Sequence, residues 1–447
     1  MYSKESMEHQ YSFSHNKFFL KPKLDENEIL FKIAESIDWC SLSDKFAKFY
    51  CTNNGRPTKP SRLKIGLHII KHLKTLSDEE TIAFLKQNIY AQYLCDVSIE
   101  EAKNPIDPSA LSRFRTTIGT EGVKLIEKEI LRILKKNKLI KGKKLIIDTT
   151  VVPSCLKYPT DINLLETVRN KAVQLLDQAK QFGAKAYRTY KRTARKVYLS
   201  YQKVRKHTVR QRKKTQKKLI QFTSRNIRQL KSCAKSLAKK AKETKQETIE
   251  TFSEKVNGFL SIADNIIYQQ RNIYNGDPVK KRIVSTWATH IRPMVRGKYP
   301  VDVEFGPKVL LNLKNGFLFL AGLYFENVSD TALLIPAIEE NKKLLGYLPT
   351  QVSTDRGFYS AENKSYCQEL GIKKIAIEKR GKHKTDSDPP PYLARLRRER
   401  CAIEAKISLA KRKFGLNRIN YRIKGGEEIW TRLSLAAMNL NLGFSPG

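Results

Sequence analysis

The chain contains no run of about 18 consecutive apolar residues, the least that a membrane-spanning helix requires. Its opening segment, MYSKESMEHQYSFSHNKFF, is polar and lacks the apolar centre of a secretory signal. A soluble, cytoplasmic protein is therefore expected. Cysteine is sparse and scattered: seven residues, an odd number, with no C-x-x-C spacing among Cys40, Cys51, Cys95, Cys155, Cys233, Cys367 and Cys401. That pattern excludes a small disulfide-stapled module and disfavours structural zinc, leaving reduced, buried thiols as the expectation. Histidine is equally thin, and only His68 and His72 in IGLHIIKHLK stand four apart on one helical face. No glutamate lies between them and apolar residues surround both, so core packing is expected rather than metal binding.

The scarcest feature is negative charge. Against 85 Lys+Arg there are 44 Asp+Glu, a formal net charge of +41, far beyond what solubility needs. A polyanion is the natural partner, whether DNA, RNA or an anionic membrane surface, and the missing apolar run weakens the last. What is present is size. The 447 residues suffice for two or three domains of about 100–200 residues each.

From about Glu26 to Lys138 the pattern is helical: ENEILFKIAESI, PSRLKIGLHIIKHLKTL and DEETIAFLKQNIYAQYL place apolar residues three and four apart. Ser77 to Glu80 and Asp107-Pro108 read as helix starts. The helix SALSRFRTTI carries Arg113 and Arg115 among small polar residues. With those side chains outward it suits a DNA major groove, and it equally suits an ordinary surface helix. LIIDTTVV, Leu145 to Val152, reads as a buried strand with one acid inside it.

A basic tract follows from Arg169 to Lys245, in which Asp177 and Glu243 are the only acids. Its apolar residues recur at three- and four-residue steps, which predicts a helical insertion, a long antiparallel pair, in contact with DNA. VDVEFGPKVLLNL and GFLFLAGLYFE, split at Asn315-Gly316, predict a hairpin. TALLIPAIEENKKLL is helical with Asp330 as its cap, QVSTDRG is a strand ending in an acid, ENKSYCQELG a helix and KKIAI a strand. GKHKTDSDPPP, Gly381 to Pro391, reads as a loop before a helix from about Tyr392 to Phe414. A mixed sheet flanked by helices, an α/β architecture, results.

In such a sheet Asp148 and Asp355 meet at one end if their strands lie side by side. Close carboxylates repel unless a cation sits between them, which is how hard divalent ions are recruited. Glu404 is the candidate third acid, because Arg400, Glu404 and Lys411 share a helical face. Two Mg²⁺ ions bridged by carboxylates activate a water or a 3′-hydroxyl for in-line attack on a phosphodiester, with Arg400 and Lys411 holding the DNA backbone. Taken singly, a strand-end Asp is most often a turn acid and a helical Glu a surface ion pair. Asp161 reads as a helix cap; Asp302 and Glu304, alternating along a strand, are the strongest rivals for the site. Arg356 and Gly357 shape the turn after Asp355, the glycine permitting close approach.

From about Gly55 onward the sequence resembles the DDE transposases of bacterial insertion sequences, specifically the insertion-sequence-5 superfamily. GRPTKPSRLKIGLHIIKHLKTLSDEETIAFL and DPSALSRFR look like that family's helical N-terminal domain. DTTVVPSCLKYPTDINLL looks like its first acidic motif, VRGKYPVDVEFGPKV like its central hairpin and STDRGFYSAENKSYCQELGIKK like its second acidic motif. Arg400, Glu404 and Lys411 match the steps of a Tyr-Arg-Glu-Lys signature, with Arg397 in place of the Tyr.

The resemblance implies a ribonuclease-H-like catalytic domain over 139–165 and 285–447. It also implies a helical DNA-binding domain over 26–138 behind a polar tail, 1–25, and a basic helical insertion over 166–284. It makes Asp148, Asp355 and Glu404 the catalytic metal ligands for Mg²⁺, with Mn²⁺ able to substitute, and Arg400, Lys411, Arg113 and Arg115 DNA contacts. The implied enzyme cleaves and transfers strands of double-stranded DNA, at element ends and target, as a homodimer associated with the nucleoid. A ribonuclease-H-like nuclease without strand transfer and a DNA-binding protein with structural acids remain the alternatives.

Overall fold

The computed structural model describes residues 21, 24–51, 57–156, 158–244, 246–295, 303–379 and 391–445. Asp302, the tail over 1–20 and the loop over 381–390 lie outside them. Two compact units result, one of Met1–Cys155 with Pro307–Gly447 and one of Leu156–Gly306.

The first unit begins with helices α1 (Ile29–Ser36), α2 (Trp39–Ala47), α3 (Ser61–Lys74), α4 (Asp78–Gln87), α5 (Ile89–Cys95), α6 (Ile99–Lys103) and α7 (Pro108–Lys136). The expected starts form as capped ends. Ser77 and Glu80 make a reciprocal capping box, and Asp107 accepts from Ser109 N at 2.8 Å with Pro108 in the first turn. Helix α7 breaks at Gly119, whose φ of 54° combined with ψ of −157° only glycine adopts without strain. His68 and His72 are buried as expected. His68 Nδ1 donates to Lys64 O at 2.7 Å, and His72 lies 3.1 Å from both Ser434 Oγ and Tyr421 Oη.

Strand β1 (Lys144–Val151) leads into the second unit, which holds helices α8 (Asp161–Ala179), α9 (Lys191–Gln202), α10 (Val209–Thr244) and α11 (Glu247–Asn275) and strands β2 (Pro293–Val295) and β3 (Val303–Phe305). Helices α10 and α11 run in opposite directions, Gln216 meeting Gln270 at 3.0 Å and Lys231 meeting Asp264 at 2.8 Å. Helix α8 completes their core through Val168, Ala172 and Leu176. The tract from 169 to 245, expected as one antiparallel pair, instead takes in the end of α8, α9 and α10, and α11, which joins α8 and α10 in a three-helix packing, lies beyond it. Thr160, not Asp161, caps α8; Asp161 accepts from Gln270 and Arg282 instead.

The chain returns to the first unit with β4 (Lys308–Lys314), β5 (Phe317–Tyr324), α12 (Leu334–Leu345), β6 (Gln351–Thr354), α13 (Ala361–Glu369), β7 (Lys374–Ala376), α14 (Pro391–Lys413) and α15 (Gly426–Phe444). Asn315 (φ 49°) and Gly316 (φ 87°) make the tight hairpin turn between β4 and β5. The run VDVEFGPKVLLNL is not one strand. It divides at Gly306-Pro307, and β3 pairs only with β2 in a separate two-stranded sheet.

The main sheet has the order β5-β4-β1-β6-β7, with β1 antiparallel to β4 and parallel to β6. It is buried on both faces, which is why β1 reads as a continuous apolar run. Ile146 joins the core that runs through α3, α7, α14 and α15, whereas Leu145 and Ile147 join the one under α12 and α13. The segment expected as a separate helical domain over 26–138 therefore shares its core with one face of the sheet. No disulfide joins any of the seven cysteines, but Cys40, Cys51 and Cys401 are exposed, correcting the expectation that the thiols are buried.

Candidate active site

Register places the first two acids. Ile147 pairs with Thr354 across the parallel strands β1 and β6, so Asp148, midway along β1, and Asp355, just past the end of β6, each stand one residue beyond that pair and side by side. Side chains alternate along a strand; Asp148 therefore shares the Ile146 face, the side on which Ile403 and Ile407 of α14 pack. Helix α14 is pinned there by Lys144, which pairs with Glu399, and by Ser353 Oγ, which donates to Leu396 O at 3.2 Å.

Electrostatics couples the acids. Burial pushes the Asp148 carboxyl up to about 6. The Thr149 backbone N–H opposes the rise, while Asp355 and Glu404 add to it and Arg400 counters them. The Arg400 guanidinium pairs with Glu404 at 2.8 Å, and Glu404 stays more than half exposed. Thr149 N donates to Asp148 Oδ1 at 2.7 Å, and Gly357 N donates to Asp355 Oδ1. Among the described residues no three acid, histidine or cysteine side chains form a ready metal cage. The donor set nonetheless fits a hard divalent ion: two carboxylates at adjoining positions of β1 and the end of β6, one of them holding its proton to unusually high pH, gain most from a shared cation.

The basic partners divide. Arg113 is exposed, but Arg115 is buried, bound to Asp78 at 2.7 and 2.9 Å and stacked 4.1 Å from the Tyr421 ring centroid. Positions two apart on a helix point about 200° away from each other, so both arginines cannot face outward. The expected DNA contact is corrected for Arg115. Lys411 Nζ donates to Val151 O at 2.9 Å and ties the end of α14 to β1. Arg397, at the signature's Tyr position, pairs with Glu378, which also receives Arg356 at 3.2 Å. That bridge links α14 to the turn directly after Asp355. Glu304 belongs to β3 in the second unit, whereas β1 and β6 are in the first.

Asp330, expected as a helix cap, has another use. Its Oδ1 accepts from Thr149 Oγ1 at 3.0 Å and pairs with Lys308 Nζ at 2.7 Å. Sequence pattern conceals it, because Asp before a helical run ordinarily signals a cap.

In the second unit, Lys217, Arg225, Arg228 and Arg271 line a cavity of about 810 Å³ with Tyr190, Phe222 and Tyr274, and no acid borders it. Arg188 and Arg225 each lie 4.8 Å from the Tyr190 ring centroid.

Residues 307–440 match the family model described as a transposase DDE domain, and residues 18–117 match a transposase domain known as DUF772. The chain belongs to the DDE transposases. Both matches fall within the spans that form the first compact unit of the transposase. A Rhizobium meliloti protein named uncharacterized protein ORF8 in nfe locus is 31% identical over 182 residues, covering 39% of the transposase and 84% of that protein. No solved structure matches. A transposase acts on DNA, in keeping with the charge of +41, and no described helix is long and apolar enough to cross a membrane.

Proposed function

We propose that the transposase, of the insertion-sequence-5 group, binds the terminal inverted repeats of its own element and carries out Mg²⁺-dependent cleavage and strand transfer. Its sheet is read as ribonuclease-H-like, with Asp148, Asp355 and Glu404 as the metal ligands. The observation that carries this reading is the β1–β6 register, which leaves two acids from distant parts of the chain side by side, Asp148 within β1 and Asp355 just past β6. The bound ions, Mg²⁺ or Mn²⁺, would supply Lewis-acid activation of the attacking oxygen and charge neutralisation at the leaving one.

The chain's own residues have separable tasks. Asp148 and Asp355 hold negative charge side by side, within β1 and just past β6, and each is oriented by a backbone N–H. Arg400 restrains Glu404 on the helix that faces them and offers remaining donors to a phosphate. Lys411 fixes that helix to β1. Arg113 and the exposed cations of α9 and α10 contact the DNA backbone. The acid-free, ring-lined cavity of the second unit supports that assignment. A homodimer, one copy per element end, follows from the family scheme.

A strand-transfer assay tests the proposal: the purified transposase is incubated with duplex carrying the element's end and a target plasmid, with Mg²⁺ or with a chelator. Joined product that needs Mg²⁺ is expected. Nicks without joining identify a nuclease, and DNA binding with neither product identifies a binding protein.

A further inference from the structure

We propose that Asp330 is a positioning residue for the two neighbouring aspartates, a fourth carboxylate that braces Asp148 and Asp355 from the opposite face of the sheet. The inference rests on reading those two acids as metal ligands.

Asp330 opens a short 3-10 turn, Asp330–Leu333, preceded by Ser329, which makes no side-chain cap. Its carboxylate faces the sheet. Thr149 and Lys308 lie on one face of the sheet, because Val151 pairs with Lys308 and Thr149 stands two residues before it. Asp330 Oδ1 takes a hydrogen bond from Thr149 at 3.0 Å and an ion pair from Lys308 at 2.7 Å. Lys308 also donates to Val328 O at 2.7 Å, beside the turn that carries Asp330. The chain of contacts reaches Asp148, since the backbone N–H of the same Thr149 donates to its Oδ1 at 2.7 Å.

The other acid lies close to the same turn. A Cβ built on Gly357 would lie 2.9 Å from Asp330 Oδ2 and equally 2.9 Å from Asp355 Oδ1. Two carboxylates thus converge on one glycine whose missing side chain leaves them room. Carboxylates so close repel, and the only cation on Asp330 among the described ion pairs is Lys308. An uncharged hydrogen-bond acceptor would satisfy Thr149 without adding to that repulsion. A carboxylate paired with lysine instead holds β1 and the turn after β6 from beneath while Asp148 keeps the side that faces α14.

The test measures Mn²⁺ affinity of the full chain by calorimetry and the resonance spectrum of the bound ion, alongside thermal unfolding without metal. Wild type, Asp330→Ala, Asp330→Asn, Thr149→Val and Asp148→Asn are compared. Asp330→Ala is expected to weaken Mn²⁺ binding about 10–100-fold, the usual cost of losing an outer support of a metal ligand, and to alter the spectrum. Asp330→Asn, which still accepts from Thr149, should recover part of the loss. Thr149→Val, which leaves the Lys308 pair in place, should weaken binding in the same direction and keep the fold if Asp330→Ala does not. Wild-type affinity in both Asp330→Ala and Thr149→Val would overturn the proposal, as would an Asp330→Ala loss confined to unfolded protein with Thr149→Val normal. A wild type that binds no more Mn²⁺ than Asp148→Asn would overturn the metal reading and the positioning role with it.

Discussion

Two aspartates of the first unit sit in charged surroundings and respond in opposite directions. Burial alone would raise the Asp78 carboxyl, but hydrogen bonds and attraction from Arg115 and Lys71 overcome it and hold the group at about 2. Burial raises Asp148 to about 6, and its nearest charged neighbours include two further acids. The knot of Asp78, Lys71 and Arg115 is closed by Tyr421 and leaves no acid without a cation. The cluster of Asp148, Asp355, Glu404 and Arg400 carries more acid than base. Ion pairs that satisfy each other build structure; a surplus of one sign, kept in place by the fold, is a site awaiting a counter-charge.

The sharpest way to break this contrast is to remove a charge from each side. Asp148→Asn or Asp355→Asn should lower metal-dependent DNA cleavage at least about 1,000-fold, on the scale of losing a catalytic group, while metal-free stability stays level or rises. Single-turnover cleavage and thermal unfolding measure the two effects. Arg115→Ala should do the reverse, costing about 1–3 kcal/mol of stability in urea unfolding because the half-buried Asp78 carboxylate loses two charge-assisted hydrogen bonds and keeps only Lys71, with DNA affinity per folded molecule unchanged. Arg113→Ala should weaken DNA binding without that cost.

Acid sharpens the contrast further. The folded Asp78 value lies below the ordinary 3.8. Its contribution, about 2 kcal/mol, is therefore fully present above the unfolded value and lost as pH falls through 3.8 toward 2. Unfolding free energies measured across that acid range should show the loss in the wild type and a smaller one in Asp78→Asn. The smallest expected effect lies in the basic insertion. Replacing Arg192, Arg195 and Lys196, basic residues of α9, with alanine should leave stability unchanged and flatten the salt dependence of DNA affinity, by roughly one unit of log–log slope for each phosphate left without its cation.

Local rules make much of this readable in the chain. Asn315-Gly316 specifies its own turn, Ser77 with Glu80 its own cap, and the β-branched run around Asp148 its own strand. The order of strands and helices around the hairpin follows from such punctuation, and with it the placement of one acid within a strand and another just past the end of its neighbour. What stays hidden depends on packing between distant segments. Helix α15 carries no marked periodicity, because its buried residues run almost without a break from Gly426 to Leu440, and pattern alone assigns it no face. Asp330 looks like a cap until β1 and β4 bring Thr149 and Lys308 to it. The burial of one arginine of the Arg113 and Arg115 pair is available in principle, since residues two apart on a helix cannot share a face, but the direction in which the core lies is not.

The most direct test of the central claim compares cleavage by the wild type, Asp148→Asn, Asp355→Asn and Glu404→Gln on the element's terminal duplex, at matched DNA occupancy and across a Mg²⁺ titration. Mg²⁺-dependent cleavage is expected in the wild type, with its loss in all three variants and DNA binding retained throughout. Cleavage that persists in Asp148→Asn and Asp355→Asn at ordinary Mg²⁺ would contradict a metal role for these acids, because the neighbouring carboxylates would then be structural.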